Sequence, residues 1–175
     1  KKMGYTNYIE LGYIQMQRSA YNDQDIAKYR SFILKYIVPI VSKIKDKRQE
    51  SLGLSELFHY DTLYFNTGNP TPKGTPAEII ANGKKMYDEM SPETSEFFNF
   101  MIKNDLMDLV NKENKAGGGY CSMIPNVGAP FIFSNFNGTA HDVDVLTHEA
   151  GHAFQCFSSR HFELMEYYWP TYEAC

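Results

Sequence analysis

The chain has 175 residues, 43% of them hydrophobic and 22% charged, a length and balance that suit one globular unit and exclude a disordered chain. Aromatic residues, at 15%, supply volume for a core, and no Gly-X-Y or low-complexity bias marks a fibrous chain. The formal charge of −4, from 17 basic and 21 acidic residues, provides no large positive field for nucleic acid or an anionic membrane, so neutral or mildly charged solutes are the expected partners.

Cys121, Cys156 and Cys175 are widely spaced and odd in number, which argues against a disulfide framework and for a reducing, cytoplasmic setting. The first residues lack the apolar stretch of a signal peptide. They also lack an initiator methionine, so the expectation is a segment of a longer polypeptide.

The first 114 residues read mostly as helices. Thr6 is placed to cap a short one carrying Tyr8, Ile9, Leu11 and Tyr13. Asn22 or Asp23 opens a longer one, in which Ile26, Tyr29, Ile33, Tyr36, Ile37, Ile40, Val41 and Ile44 make a stripe expected to face a core. Pro39 should kink or interrupt that helix, and Gly53 should stop it. Residues 60–65 suggest a short extended piece, and 66–74 a loop. Thr75-Pro76-Ala77-Glu78 is a capping box that starts a helix to about Met90. Ser91-Pro92-Glu93 starts another, expected to carry Phe97, Phe98, Met101, Leu106 and Leu109 inward and to end before Asn111.

After Gly117-Gly118-Gly119 the texture changes. Tyr120 to Ile124 and Phe131 to Phe136 are β-prone runs expected to pair antiparallel. The triple glycine admits two readings, a close approach of substrate backbone or a flexible turn. Asn137-Gly138 signals a turn, and the sequon it opens carries little weight in a cytoplasmic chain. Thr139 is placed to cap a helix from about 140 to 158, with Asp142 and Asp144 in its first turns, where carboxylates suit the helix dipole.

That helix carries His148-Glu149-Ala150-Gly151-His152. Histidines at i and i+4 project from one face about a turn apart, so two imidazoles can grip one ion. Zinc then needs a third protein ligand and an open position for water. Glu173 is the preferred third ligand, because the chain between His152 and Glu173 is long enough to reverse direction. Glu163 and Glu166 compete from closer range, and His161 has the spacing of a third histidine but lacks the glycine that such sites place between. Glu149 is the expected general base, taking a proton from zinc-activated water and returning it to a leaving amine. Asp144, one turn before His148, is either an outer support for that imidazole or a solvated carboxylate of the helix start. Gly151 suggests a close neighbouring backbone. Phe131-Ile132-Phe133 reads first as core, and second as a strand edge able to pair with an extended peptide.

The runs Lys115-Ala-Gly-Gly-Gly-Tyr-Cys121, Pro130-Phe-Ile-Phe-Ser-Asn-Phe-Asn-Gly-Thr139 and Asp142-Val-Asp-Val-Leu-Thr-His-Glu-Ala-Gly-His-Ala-Phe-Gln155 closely resemble oligoendopeptidase F and its relatives in the thimet oligopeptidase family. Asn69-Pro-Thr-Pro-Lys-Gly74 and Ser91-Pro-Glu-Thr94 extend the resemblance along the chain. It implies one zinc per chain held by His148, His152 and Glu173, with Glu149 as base and acid, and oligopeptide substrates cleaved in a mainly helical channel, usually in the cytoplasm. The fold it implies is mainly α with a small antiparallel β element, a partial zincin-like metallopeptidase catalytic domain. Residues 1–175 are then a single segment of that domain, with 1–114 helical and 115–175 holding the β element, the motif helix and the start of the third-ligand helix. Members of the family continue well past the third ligand, into groups that hold substrate and stabilise the oxyanion. Two readings follow: a zinc endopeptidase of which this is the catalytic segment, and a zinc- or peptide-binding piece that is inactive without those groups.

Overall fold

The computed structural model describes residues 2–63, 65 and 67–169. The chain divides into two compact units, Lys1–Asn69 and Pro70–Cys175. Among the described residues no helix is long and apolar enough to cross a membrane.

The first unit is helical. Helix α1 spans Tyr8–Gln15, and its cap is Asn7 rather than Thr6: the Asn7 side chain accepts from the Ile9 amide at 2.9 Å. Helix α2, Asp23–Phe32, opens on a capping box between Asn22 and Asp25. It runs through a π turn, Ile33–Ile37, into α3, Val38–Leu52. The π turn answers the strain Pro39 brings. Proline has no amide to donate and its ring crowds the carbonyl four residues back, and the wider turn, closed by the Val38 amide on the Ile33 carbonyl, lets the helix continue. Gly53, at φ 65°, ends α3 in the left-handed region as expected, and the Leu54 amide reaches back to the Gln49 carbonyl at 3.1 Å. Among the described residues nothing covers the apolar stripe of α2 and α3, and neither helix buries a residue. Residues His59–Leu63 form a 3-10 turn instead of an extended piece.

The second unit holds the core. Helices α4, Pro76–Met90, and α5, Pro92–Lys103, each start on a capping box, Thr75 with Glu78 and Ser91 with Thr94. Helix α5 is shorter than its apolar spacing suggests. The backbone turns left-handed at Asp105, φ 52°, the Leu106 amide bonds the Met101 carbonyl at 3.0 Å, and Met107–Val110 leaves as strand β1. Leu109 is buried after all, as a strand residue.

Strand β2, Tyr120–Ile124, pairs antiparallel with β3, Ala129–Phe136, as the two β-prone runs predict. Strand β1 adds in parallel on the other side, giving the order β1-β3-β2 and a mixed sheet. Phe131 to Phe133 therefore lies in the central strand, and the free edge nearest the glycine loop belongs to β2. Along β3, Pro130, Ile132, Ser134 and Phe136 are buried while Phe131, Phe133 and Asn135 are half-buried, the alternation of a sheet with one face on a core. Helix α6, His141–Ser159, packs on that face. Phe97, Phe98 and Met101 of α5, each 0% exposed, join Ile132, Leu146, Ala150, Ala153 and Phe157 there. Tyr87 stacks on Phe98, with ring centroids 4.7 Å apart. Gly83 lets α4 come close, because a Cβ there would lie 3.4 Å from both Leu146 and Phe98.

Candidate metal centre

The start of α6 is built by a side chain other than the one expected. Thr139 does not cap it, and Ala140 at the cap position makes no side-chain bond. The buried Asp142 carboxylate accepts instead from the Asn137 amide at 3.0 Å and the Gly138 amide at 2.8 Å. Those bonds tie the β3–α6 turn to the first turn of the helix. Asn137 in turn accepts from the Thr139 hydroxyl at 2.8 Å. The orientation of α6 on the sheet is thus set by its own first turn, and the motif two turns further along inherits it.

His148 and His152 stand on the exposed side of α6, with their Nε2 atoms 3.0 Å apart and ring planes at 89°. Two ligands about 2.05 Å from one tetrahedral ion lie about 3.3 Å apart, so this pair needs only a slight opening to grip a single ion. His152 also meets the edge of Trp169, at 5.2 Å between centroids. Glu149 leaves the helix on the inner flank and is only 8% exposed. An open cavity of about 370 Å³ is bounded by Gly119, His141, Asp144, Val145, His148 and Glu149. Asp144 is exposed and shares this cavity with His148.

Among the described residues no group of three His, Cys, Asp or Glu side chains is placed to hold a metal, so Glu163, Glu166 and His161, all exposed, do not complete the histidine pair. Glu173 lies outside the described residues. Gly151 does not serve a close approach: it is exposed and a Cβ there would meet nothing within 4 Å. It sits on the same outer side of α6 as the histidines, where bulk would crowd whatever approaches them.

Two side chains to which the sequence assigns no role hold the glycine loop from behind, beside Phe133 on the β3 face away from α6. Lys115, its side chain 3% exposed, bonds the Asp108 carboxylate at 3.0 Å and the Asp108 and Val110 carbonyls at 2.9 and 3.0 Å, over the Phe133 ring. Asn135 donates to the carbonyls of Ala116 and Gly118. Between them the glycine run is a held loop, not a free hinge. The signal was a buried-strand asparagine and a lysine beside three glycines, and neither is periodic. Cys121 of β2 lies beside Cys156 of α6, and that neighbour together with burial pushes the Cys121 thiol well above its usual range.

The family model of peptidase family M3 matches residues 84–174. The structure is similar to that of PZ peptidase A with an inhibitor, at 56% identity and a TM-score of 0.89, over 99% of this chain and 31% of that one. It is also similar to a Bacillus anthracis strain Ames protein provisionally described as an oligoendopeptidase F, at 57% identity and a TM-score of 0.90, over 99% of this chain and 32% of that one. A further structure with the same provisional description gives 51% identity and a TM-score of 0.86, over 97% of this chain and 30% of that one. No curated protein matches. The chain spans about a third of the length of these solved structures.

Proposed function

This chain belongs to peptidase family M3, and from that premise we propose that it is the catalytic segment of a zinc-dependent endopeptidase acting on oligopeptides. The observation that carries the reading is the convergence of the two Nε2 atoms at 3.0 Å, beside a Glu149 carboxylate that bounds the same cavity. Two neutral imidazoles suit zinc, and Glu173 is the carboxylate proposed to complete the set. Zinc, when bound, polarises a carbonyl and makes water acidic enough to attack near neutral pH.

The rest is done by side chains and backbone. Glu149 accepts a proton from the attacking water and delivers it to the departing amine, and its burial keeps the carboxylate from being solvated away from that task. The free edge of β2 pairs with the main chain of an extended peptide, which needs no particular side-chain sequence. Substrates are thereby oligopeptides read mainly through their backbone. The cytoplasmic location belongs to the same proposal, supported by cysteine spacing that fits no disulfide framework.

The test is turnover of a fluorogenic peptide by the complete protein. Glu149→Ala is expected to lower kcat/KM by about 10²–10⁴-fold, the usual worth of a positioned acid–base group. His148→Ala should lose bound zinc. Unchanged turnover in the first variant, or equal zinc in the second, overturns the assignment. The 175-residue chain alone is expected to be inactive, since a third of the relatives' length leaves out most of the channel that would hold a peptide.

A further inference from the structure

We propose that Asn135 is a positioning residue for Glu149: its side-chain amide holds the triple-glycine loop, and the loop sets Gly119 against the Glu149 carboxylate. The inference rests on the reading of Glu149 as the proton carrier.

The register shows why a side chain is needed there. Tyr120, the first residue of β2, pairs with Phe133. Asn135 is two residues further along β3, on the same face as Phe133, level with the glycines that precede β2. The backbone cannot extend the ladder at that level, because Gly118 turns to φ 101°. The carbonyls of Ala116 and Gly118 are left without strand partners. Asn135 Nδ2 gathers both, at 2.9 and 2.8 Å. Carbonyl oxygens only accept, so the amide must present its nitrogen to them, and its Oδ1 is buried with no partner among the described residues. What Asn135 contributes is therefore its two donors.

Those donors act at a distance. Gly119 lies where a Cβ would come 3.4 Å from Val145 Cγ1, 3.6 Å from the Phe133 carbonyl oxygen and 3.9 Å from Glu149 Oε1. The loop backbone thus faces the Glu149 carboxylate across the space of about one methyl group, and both bound the same cavity. If the loop drifts outward, the carboxylate gains rotamers that point away from the attacking water. A displacement of about 1 Å in a supporting group can cost about a hundredfold in rate. Asparagine alone among similar-sized residues supplies two coplanar donors. Aspartate has the same shape and would turn a carboxylate oxygen toward two carbonyls.

The experiment measures kcat and KM separately in the complete protein for Asn135→Asp, Asn135→Gln and Asn135→Ala, with Glu149→Gln as control. Bound zinc and backbone amide exchange over residues 116–119 are read in parallel. Asn135→Asp is expected to lower kcat about ten- to a hundredfold with KM within about threefold and zinc unchanged, and to speed exchange in the loop. Asn135→Gln, which keeps the donors, recovers part of the loss. A purely structural role would lower the folded fraction and leave kcat per zinc-loaded enzyme as in the parent. That result, or loop exchange unchanged in Asn135→Asp, overturns the proposal. Should Asn135→Asp fail to fold, Asn135→Ala decides: it removes both donors without turning a carboxylate toward the carbonyls of Ala116 and Gly118, so kcat should fall several-fold with faster loop exchange, and an unchanged kcat overturns the proposal. An active Glu149→Gln sinks the underlying reading, whereas an inactive Glu149→Gln beside a fully active Asn135→Asp sinks this inference alone.

Discussion

Helices α2–α3 and helix α5 carry apolar residues at the same steps of three and four, and the two regions use them in opposite ways. In α5, Phe97, Phe98 and Met101 have no exposed surface. In α2–α3, Tyr29 is 61% exposed and Ile40 55%, with Phe32, Tyr36 and Ile44 also open. Spacing says which face of a helix is apolar, and only the rest of the chain says whether something covers it. A stripe this long and this bare is what a helix shows when its covering partner is elsewhere. The second unit, by contrast, has α4, α6 and the sheet around α5 and closes on itself.

The comparison breaks most readily at Phe97. Phe97→Ala should cost about 3–5 kcal/mol in urea unfolding, because the ring sits against Tyr87, Phe98, Phe154 and Phe157 and the cavity it leaves cannot fully collapse. A loss under about 1 kcal/mol would mean that the second unit's core is not the source of its stability. Asp142→Ala comes next. It removes a buried acceptor from two backbone amides, and each charge-assisted bond is worth about 1.5–3 kcal/mol, partly regained if water reaches the freed amides, so a net loss of about 2 kcal/mol is expected. Faster amide exchange at Asn137 and Gly138 would accompany it. Thr75→Ala, at the start of α4, should cost about 1 kcal/mol, the ordinary worth of a cap.

Some caps were legible in the sequence because they are local: Thr75 with Glu78 closes over three residues, and Asn22 was one of two named starts, whereas at Thr6 and Thr139 the same local rule named the wrong side chain. The motif helix was legible for the same reason, and so was the antiparallel pair β2–β3. What was hidden depended on contacts from far along the chain. Leu106 and Leu109 fit a helix as well as a strand, and the reversal at Asp105 is made by a non-glycine residue in the left-handed region. Strand β1 exists because β3, some twenty residues later, offers it a parallel neighbour. The places of Lys115 and Asn135 are set by the sheet register and not by any spacing. The pairing of His148 with His152 follows from helix geometry, while Glu173 depends on a reversal that no local rule fixes.

Acid offers a smaller perturbation, and the Asp108 carboxylate of β1 is one of the groups it acts on. Hydrogen bonds from Lys115 and then Lys112 hold the Asp108 carboxyl below its usual range. A group depressed in this way contributes stability above its unfolded value of about 3.9 and loses it as pH falls through the folded one. The native protein should therefore be more stable than Asp108→Asn at pH 7, and the gap should narrow as pH falls below about 3.9 and through the lower folded value. A gap that persists in acid would place its origin outside the charge of Asp108.

The smallest effect is the most telling one. Ile40 recurs on the α2–α3 stripe as Phe97 does on α5, so spacing alone would rank both as core residues. Its side chain is more than half exposed, so truncation gives up little transfer energy and leaves no cavity. Alanine is also the better helix former, by a few tenths of a kcal/mol over a β-branched residue, because it loses no side-chain rotamers against the preceding turn. The two terms nearly cancel. Ile40→Ala in the 175-residue chain is expected to change unfolding free energy by less than about 0.5 kcal/mol, the range of an ordinary surface substitution. A loss above about 2 kcal/mol would show that the stripe is covered within this chain after all. If the same substitution is costly only in the complete protein, then the stripe is a core face whose other half lies outside these 175 residues, and the two regions differ in where their cores are completed and not in how their helices are built.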